Sequence, residues 1–220
     1  MNKTVIFDMD GVLFDTERLC IQCWEKAAKE RGIEGIEEVS RRCIGLNDND
    51  TKTLVLEAWE QRFPGQAFPY EEFRRKVSEW FREEIQKNGL PLKPGVEKLL
   101  PYLQQGGFRI GLASSSRYES VVSHLRQAQL IDYFSVIVSG DMVEHSKPRP
   151  DIYLLACRKM GTLPEHAYAI EDSPNGIRAA ATAGMQPIMV PDLVEPDEEI
   201  KRLCILVCRD LTEVMRFFNQ

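Results

Sequence analysis

Beyond residue 90 the sequence alternates, and that alternation leaves few folds open. Residues 109–113, 136–138, 168–170 and 187–190 are short apolar runs, and each reads as a buried strand. Between them lie segments of helical period: 96–104, 119–128, 151–160 and 177–183. A strand over 203–207 and a helix over 212–218 close the chain. Short strands separated by helices cannot pair as hairpins. They build βαβ units and a parallel sheet with helices on both faces. One more strand stands apart, Thr4-Val5-Ile6-Phe7, followed at once by the polar turn Asp8-Met9-Asp10-Gly11.

What lies between that first strand and residue 90 is different. From Thr16 to Arg31 the apolar positions Cys20, Cys23, Trp24, Ala27 and Ala28 keep helical spacing, with Thr16 placed to cap the helix and Gly32 to stop it. A second helical pattern covers 49–63 and stops at Pro64-Gly65. A third covers 70–87, with Phe73, Val77, Trp80, Phe81 and Ile85 on one face, and ends at Asn88-Gly89. No strand is expected between 16 and 88. The reading is an α/β core, Rossmann-like, made of residues 1–15 and 90–220, with an all-helical cap domain of residues 16–89 inserted after the first strand.

Composition narrows the function. With 220 residues and 43% hydrophobic side chains the chain can bury a real core, and it needs no disulfide framework. A net charge of −6 lacks the basic footprint of a nucleic-acid binder. No apolar run approaches the roughly 18 residues that span a bilayer. The first apolar run meets an aspartate at residue 8, too early for a secretory signal. A cytoplasmic monomer with free, buried thiols is expected. Cys20 and Cys23 form a C-x-x-C without a second pair, so they are read as packing residues. His124, His145 and His166 are scattered. Trp24, Trp59 and Trp80 are read as the core of the insert, and the acidic stretch 195–199 as a solvated loop or helix start.

Chemistry collects beyond the carboxyl ends of parallel strands. Those positions carry Asp8 and Asp10; Ser114-Ser115-Ser116-Arg117; Ser139-Gly140-Asp141, with Lys147 a little further on; and Glu171-Asp172-Ser173. Converging carboxylates repel and resist ionisation unless a cation joins them. Mg²⁺ suits oxygen ligands that leave room for water and phosphate. Hydroxyls and a lysine offer donors to anionic oxygens. Such a set fits phosphoryl transfer through a carboxylate nucleophile. Asp8 and Asp10 would share a face in a regular strand; a bend at Gly11 lets them diverge.

Four segments in this order, FDMDGVLFDT, LASSSR, SKPRPDIY and EDSPNGIRAAATAGM, resemble the haloacid dehalogenase superfamily, and the helical insert resembles the cap of its β-phosphoglucomutase-like subgroup. The resemblance implies roles. Asp8 is the nucleophile and a metal ligand. Asp10 is the general acid/base, its backbone carbonyl a further ligand. Ser114 holds a phosphoryl oxygen, Lys147 neutralises charge, and Asp172 and Glu171 complete the Mg²⁺ site. Thr16, Gly45, Asn47, Ser115, Ser116 and Arg117 are the substrate-binding candidates. Two positions depart from the mutase pattern: Cys20 stands where a histidine is expected, and Asp48 where an arginine grips a second phosphate. The expectation is a Mg²⁺-dependent phosphatase acting on a small phosphorylated metabolite, a sugar phosphate. The alternatives are a sugar phosphomutase and, from another class, a non-catalytic phospho-accepting signalling module. The latter is disfavoured because receiver domains lack such an insert and carry their acceptor aspartate well inside the chain.

Overall fold

A computed structural model describes residues 4–219. Six parallel strands form one sheet in the order β3-β2-β1-β4-β5-β6: β1 (Thr4–Phe7), β2 (Arg109–Ser114), β3 (Val136–Ser139), β4 (Ala167–Glu171), β5 (Gln186–Met189) and β6 (Leu206–Val207). β1 is central. Phe7 is level with Leu112 of β2 and with Ile170 of β4, so the three strands end within two residues of one another.

Alternation along each strand sends side chains to two different cores. On one face Val5, Phe7, Ile110 and Leu112 pack under α5 (Val96–Gln105), α6 (Tyr118–Gln127) and α10 (Leu211–Phe218). On the other, Ile6, Ala113 and Ala169 pack under α7 (Asp151–Met160) and α8 (Pro174–Thr182). Strands buried on both faces must be apolar throughout, which is why β1 reads as a continuous apolar run.

Between β1 and β2 the chain builds α1 (Thr16–Glu30), α2 (Ile36–Arg42), α3 (Asp48–Arg62) and α4 (Tyr70–Asn88). They enclose a separate apolar cluster of Cys23, Trp24, Ala27, Val55, Phe73 and Val77, with Trp59 and Trp80 packed against it. The tryptophans are therefore core residues of the insert, as expected. The outgoing and returning strands of chain lie side by side. Asp15 N donates to Pro91 O at 3.0 Å and Lys93 N to Leu13 O at 2.9 Å.

Several sequence expectations need correction. Thr16 opens α1 but does not cap it; its hydroxyl donates to Asp10 instead. α2 and a six-residue helix α9 (Glu198–Leu203) were not expected, and the strand read over 203–207 shrinks to β6. Asp197 accepts from Ile200 N and caps α9, so the acidic stretch is a helix start. All six cysteines are free, but only Cys23, Cys157 and Cys208 are buried; Cys20, Cys43 and Cys204 are half-buried. Among the described residues no helix is long and apolar enough to cross a membrane.

Candidate active site

Three strand ends meet at one place. β1 delivers Asp8, whose backbone N donates to Ile170 O at 2.9 Å. β4 ends on Glu171, with Asp172 next. The carboxylates of Asp8, Glu171 and Asp172 lie within 4.8 Å of one another, all buried. Lys147 reaches in from the loop after β3. It donates to Asp8 Oδ1, pairs with Glu171 Oε1 at 2.6 Å and donates to Ala113 O at 3.3 Å. Tyr153 of α7 donates its hydroxyl to Glu171 Oε1 at 2.5 Å.

One lysine cannot balance three acids in a dry site. Burial pushes Asp8 up to about 8 despite the pull of Lys147, with Glu171 and Asp10 adding to the rise. Burial, then Glu171 and Asp8, lift Asp172 well above the carboxylate range. Burial alone would pull Lys147 down, but Asp8 and Glu171 more than offset it and hold the ammonium charged. The excess of buried negative charge and the all-oxygen donor set fit a hard divalent cation held by Asp8, Glu171 and Asp172.

Glycines make room for this cluster. At Gly11 the backbone has φ +80°, and a Cβ would stand 2.3 Å from Asp172 Oδ2. At Gly176 a Cβ would stand 2.0 Å from the Glu171 carboxyl carbon. Gly176→Ala is therefore expected to displace Glu171 and to cost about 1–3 kcal/mol, measured by urea denaturation. Unchanged stability would mean that the carboxylate moves aside freely.

Asp10 is handled differently from Asp8. Its Oδ1 accepts from Thr16 Oγ1 at 2.5 Å and its Oδ2 from Ser116 Oγ at 2.9 Å. Its carboxylate is not part of the three-acid group. Two hydroxyls from different elements thus fix its orientation. Ser114 is fully buried at the end of β2, and its Oγ accepts from Ser116 N at 3.1 Å. Ser115 Oγ donates across to Gly45 O of the insert at 2.8 Å.

A cavity of about 350 Å³ lies over these groups, between sheet and insert, and Asp8, Asp10, Thr16, Gly45, Ser115 and Ser116 all line it. Two expected substrate residues are used elsewhere. Asn47 caps α3 by accepting from Asp50 N, and does not line the cavity. Arg117 is exposed and donates to Asp48 Oδ2 at 2.6 Å. Asp48 also pairs with Arg74 of α4 at 3.1 Å, so one carboxylate bridges a guanidinium of the insert and one of the core. Ser146 Oγ donates to Asp50 and adds a further tie between insert and core. His145 pairs with Asp151 at the surface.

Sequence reading missed four residues at the site. Tyr153 holds Glu171. Glu17, Arg74 and His124 line the cavity. Burial, reinforced by Asp10, Asp8 and Asp192, pushes Glu17 up to about 8. Position 17 follows Thr16 in the first turn of α1, a signal that was there to use. Arg74 and His124 had no local signal. Cys20 and Cys43 also face the cavity, and burial pushes both thiols up to about 12, which makes them poor nucleophiles.

A family model described as haloacid dehalogenase-like hydrolase matches residues 5–190. The chain is 34% identical over 189 residues to a phosphorylated carbohydrates phosphatase of Thermotoga maritima, covering 84% of this chain and 83% of that one. It is 32% identical over 202 residues to the β-phosphoglucomutase of Bacillus subtilis, covering 87% and 88%. Its fold superposes with a TM-score of 0.80 on CbbY from Rhodobacter sphaeroides in complex with phosphate, at 27% identity, covering 97% and 96%.

Proposed function

Because the chain belongs to the haloacid dehalogenase-like hydrolase family and is a phosphoric monoester hydrolase, we propose that it is a Mg²⁺-dependent phosphatase of small sugar phosphates that works through an aspartyl-phosphate on Asp8. The observation that carries this reading is the division of labour between two acids two residues apart. Asp8 sits on Lys147 within the three-acid group, whereas Asp10 is held by two hydroxyls at the cavity wall.

In the first step an Asp8 oxygen bonds to phosphorus and the ester oxygen leaves, taking the proton of Asp10. In the second, water bonds to phosphorus, returns its proton to Asp10, and the Asp8–phosphorus bond breaks to give inorganic phosphate. Thr16 and Ser116 aim Asp10 at the leaving oxygen. Lys147 and the hydroxyl and amide at Ser114 and Ser115 offset charge on the phosphoryl oxygens. Mg²⁺ bound by Asp8, Glu171 and Asp172 supplies further electrostatic stabilisation of that charge. The core of residues 1–15 and 90–220 carries the chemistry, and the cap of residues 16–89 closes the cavity and selects the leaving alcohol.

The phosphatase reading is favoured over the mutase one by Asp48. A carboxylate already clamped by Arg74 and Arg117 occupies their charge and repels a second phosphate. The relative named a phosphorylated carbohydrates phosphatase supports sugar phosphates as substrates. The reading is tested on a panel of phosphorylated metabolites with inorganic phosphate as readout. Interconversion of sugar phosphates without phosphate release would overturn it.

Metal removal gives a second expected outcome. EDTA abolishes turnover and Mg²⁺ restores it. Asp8 rises from 3.8 to about 8 on folding, so its folded form binds the proton more tightly. The metal-free protein therefore loses stability as pH climbs from about 4 to about 8, and ligands must shed protons before a metal binds. The rise in Tm on adding Mg²⁺ is larger at pH 8 than at pH 5. An equal rise at both pH values would remove the acid group from the metal site.

A further inference from the structure

α6 runs along the cavity from the catalytic end outward. Ser116 just before it holds Asp10, and Ser120 and His124, four residues apart on one helical face, line the cavity beyond. The His124 ring is held edge-on against Phe14 of the core, with centroids 6.2 Å apart, and lies tilted at 35° to Phe81 of α4, 6.0 Å away. Phe81 also lines the cavity, so this wall closes where insert meets core. His124 Nδ1 is sealed from solvent and has no hydrogen-bond partner. Nε2 also has no partner among the described residues, but it is not sealed.

These facts fix what the ring can offer. Burial lowers the imidazole's pKa, against the pull of Asp10, so the ring is neutral. An orphaned buried N–H is rarer than an orphaned acceptor. The proton is therefore assigned to Nε2, the nitrogen left open, and the ring presents a donor at the cavity wall. His124 lines the same cavity as Asp10, the acid that faces the ester oxygen in the mechanism above, about one turn beyond Ser120 along α6.

We propose that His124 is a specificity-determining residue: its Nε2–H donates to a hydroxyl of the leaving alcohol, remote from the phosphate, and so favours polyol phosphates over esters of apolar alcohols. The proposal rests on the phosphatase reading and narrows its substrate class. A neutral hydrogen bond of this kind is worth about threefold to tenfold in kcat/KM.

The test compares glucose 6-phosphate, fructose 6-phosphate, ribose 5-phosphate and glycerol 3-phosphate with p-nitrophenyl phosphate, whose alcohol carries no hydroxyl. His124→Phe keeps an aromatic ring between Phe14 and Phe81 and removes the donor; His124→Gln keeps a donor. His124→Phe is expected to lower kcat/KM for the best polyol phosphate by about threefold to tenfold, through KM, while p-nitrophenyl phosphate changes by less than about twofold. His124→Gln recovers part of the loss. Equal losses on both kinds of substrate, or none on either, overturn the proposal, as does wild-type turnover of p-nitrophenyl phosphate with none of the four polyol esters. If the wild type hydrolyses nothing, the phosphatase reading itself fails.

Discussion

Asp8→Asn lowers turnover of p-nitrophenyl phosphate by at least about 10⁴-fold, because an amide cannot form the bond to phosphorus and no neighbour can replace it. Glu171 is pinned by Lys147 and Tyr153, and Asp10 by Thr16 and Ser116, so neither can swing into its place. The loss is chemical and not structural. Asp8 sits with its pKa raised to about 8, so its charge is buried at a cost. The amide removes that cost and leaves Lys147 paired with Glu171 at 2.6 Å. The metal-free variant therefore melts no lower than the wild type. Activity above about one per cent in a purified variant would refute Asp8 as nucleophile.

Lys147→Ala produces the largest change in stability. Lys147 is 1% exposed, and it is the cation that pairs with both Asp8 and Glu171. Removing one member of a buried ionic group costs about 3–5 kcal/mol, since the partners stay buried and uncompensated. A bound divalent cation supplies positive charge at the same acids. Urea denaturation of Lys147→Ala should thus show a deficit that Mg²⁺ narrows, whereas a change elsewhere in the core would be indifferent to the ion. A deficit of the same size with and without Mg²⁺ would separate the lysine from the metal group.

The core was legible because its signals are local and repeated. Each strand is a short apolar run, and each strand end carries its polar residues in the next few positions. Asp8, Ser114, Glu171 and Asp172 follow from that grammar. The helices that escaped notice are short and poor in apolar residues. α9, EEIKRL, buries only Ile200, and α2 buries only Ile36 and Ser40. Thr16 was misread because a hydroxyl before a helix looks like a cap whether it turns to its own backbone or to Asp10. Arg74 and His124 illustrate the deeper limit. Helical period puts Phe73, Val77 and Phe81 on one face, but it does not say that the neighbouring Arg74 meets Asp48, or that Asp48 in turn meets Arg117 from far along the chain. Side chains that act across two units are set by docking, which no local pattern encodes.

The paired crossings at Leu13–Lys93 and Asp15–Pro91 have an evolutionary meaning. Because the chain departs from the sheet and rejoins it at adjoining points, the excursion between them can be lengthened, shortened or exchanged for another without rethreading a single strand. A lineage can thus keep one reactive centre and shop among lids. Grafting a foreign insert between those two crossings is the natural way to give this scaffold a new taste in substrates.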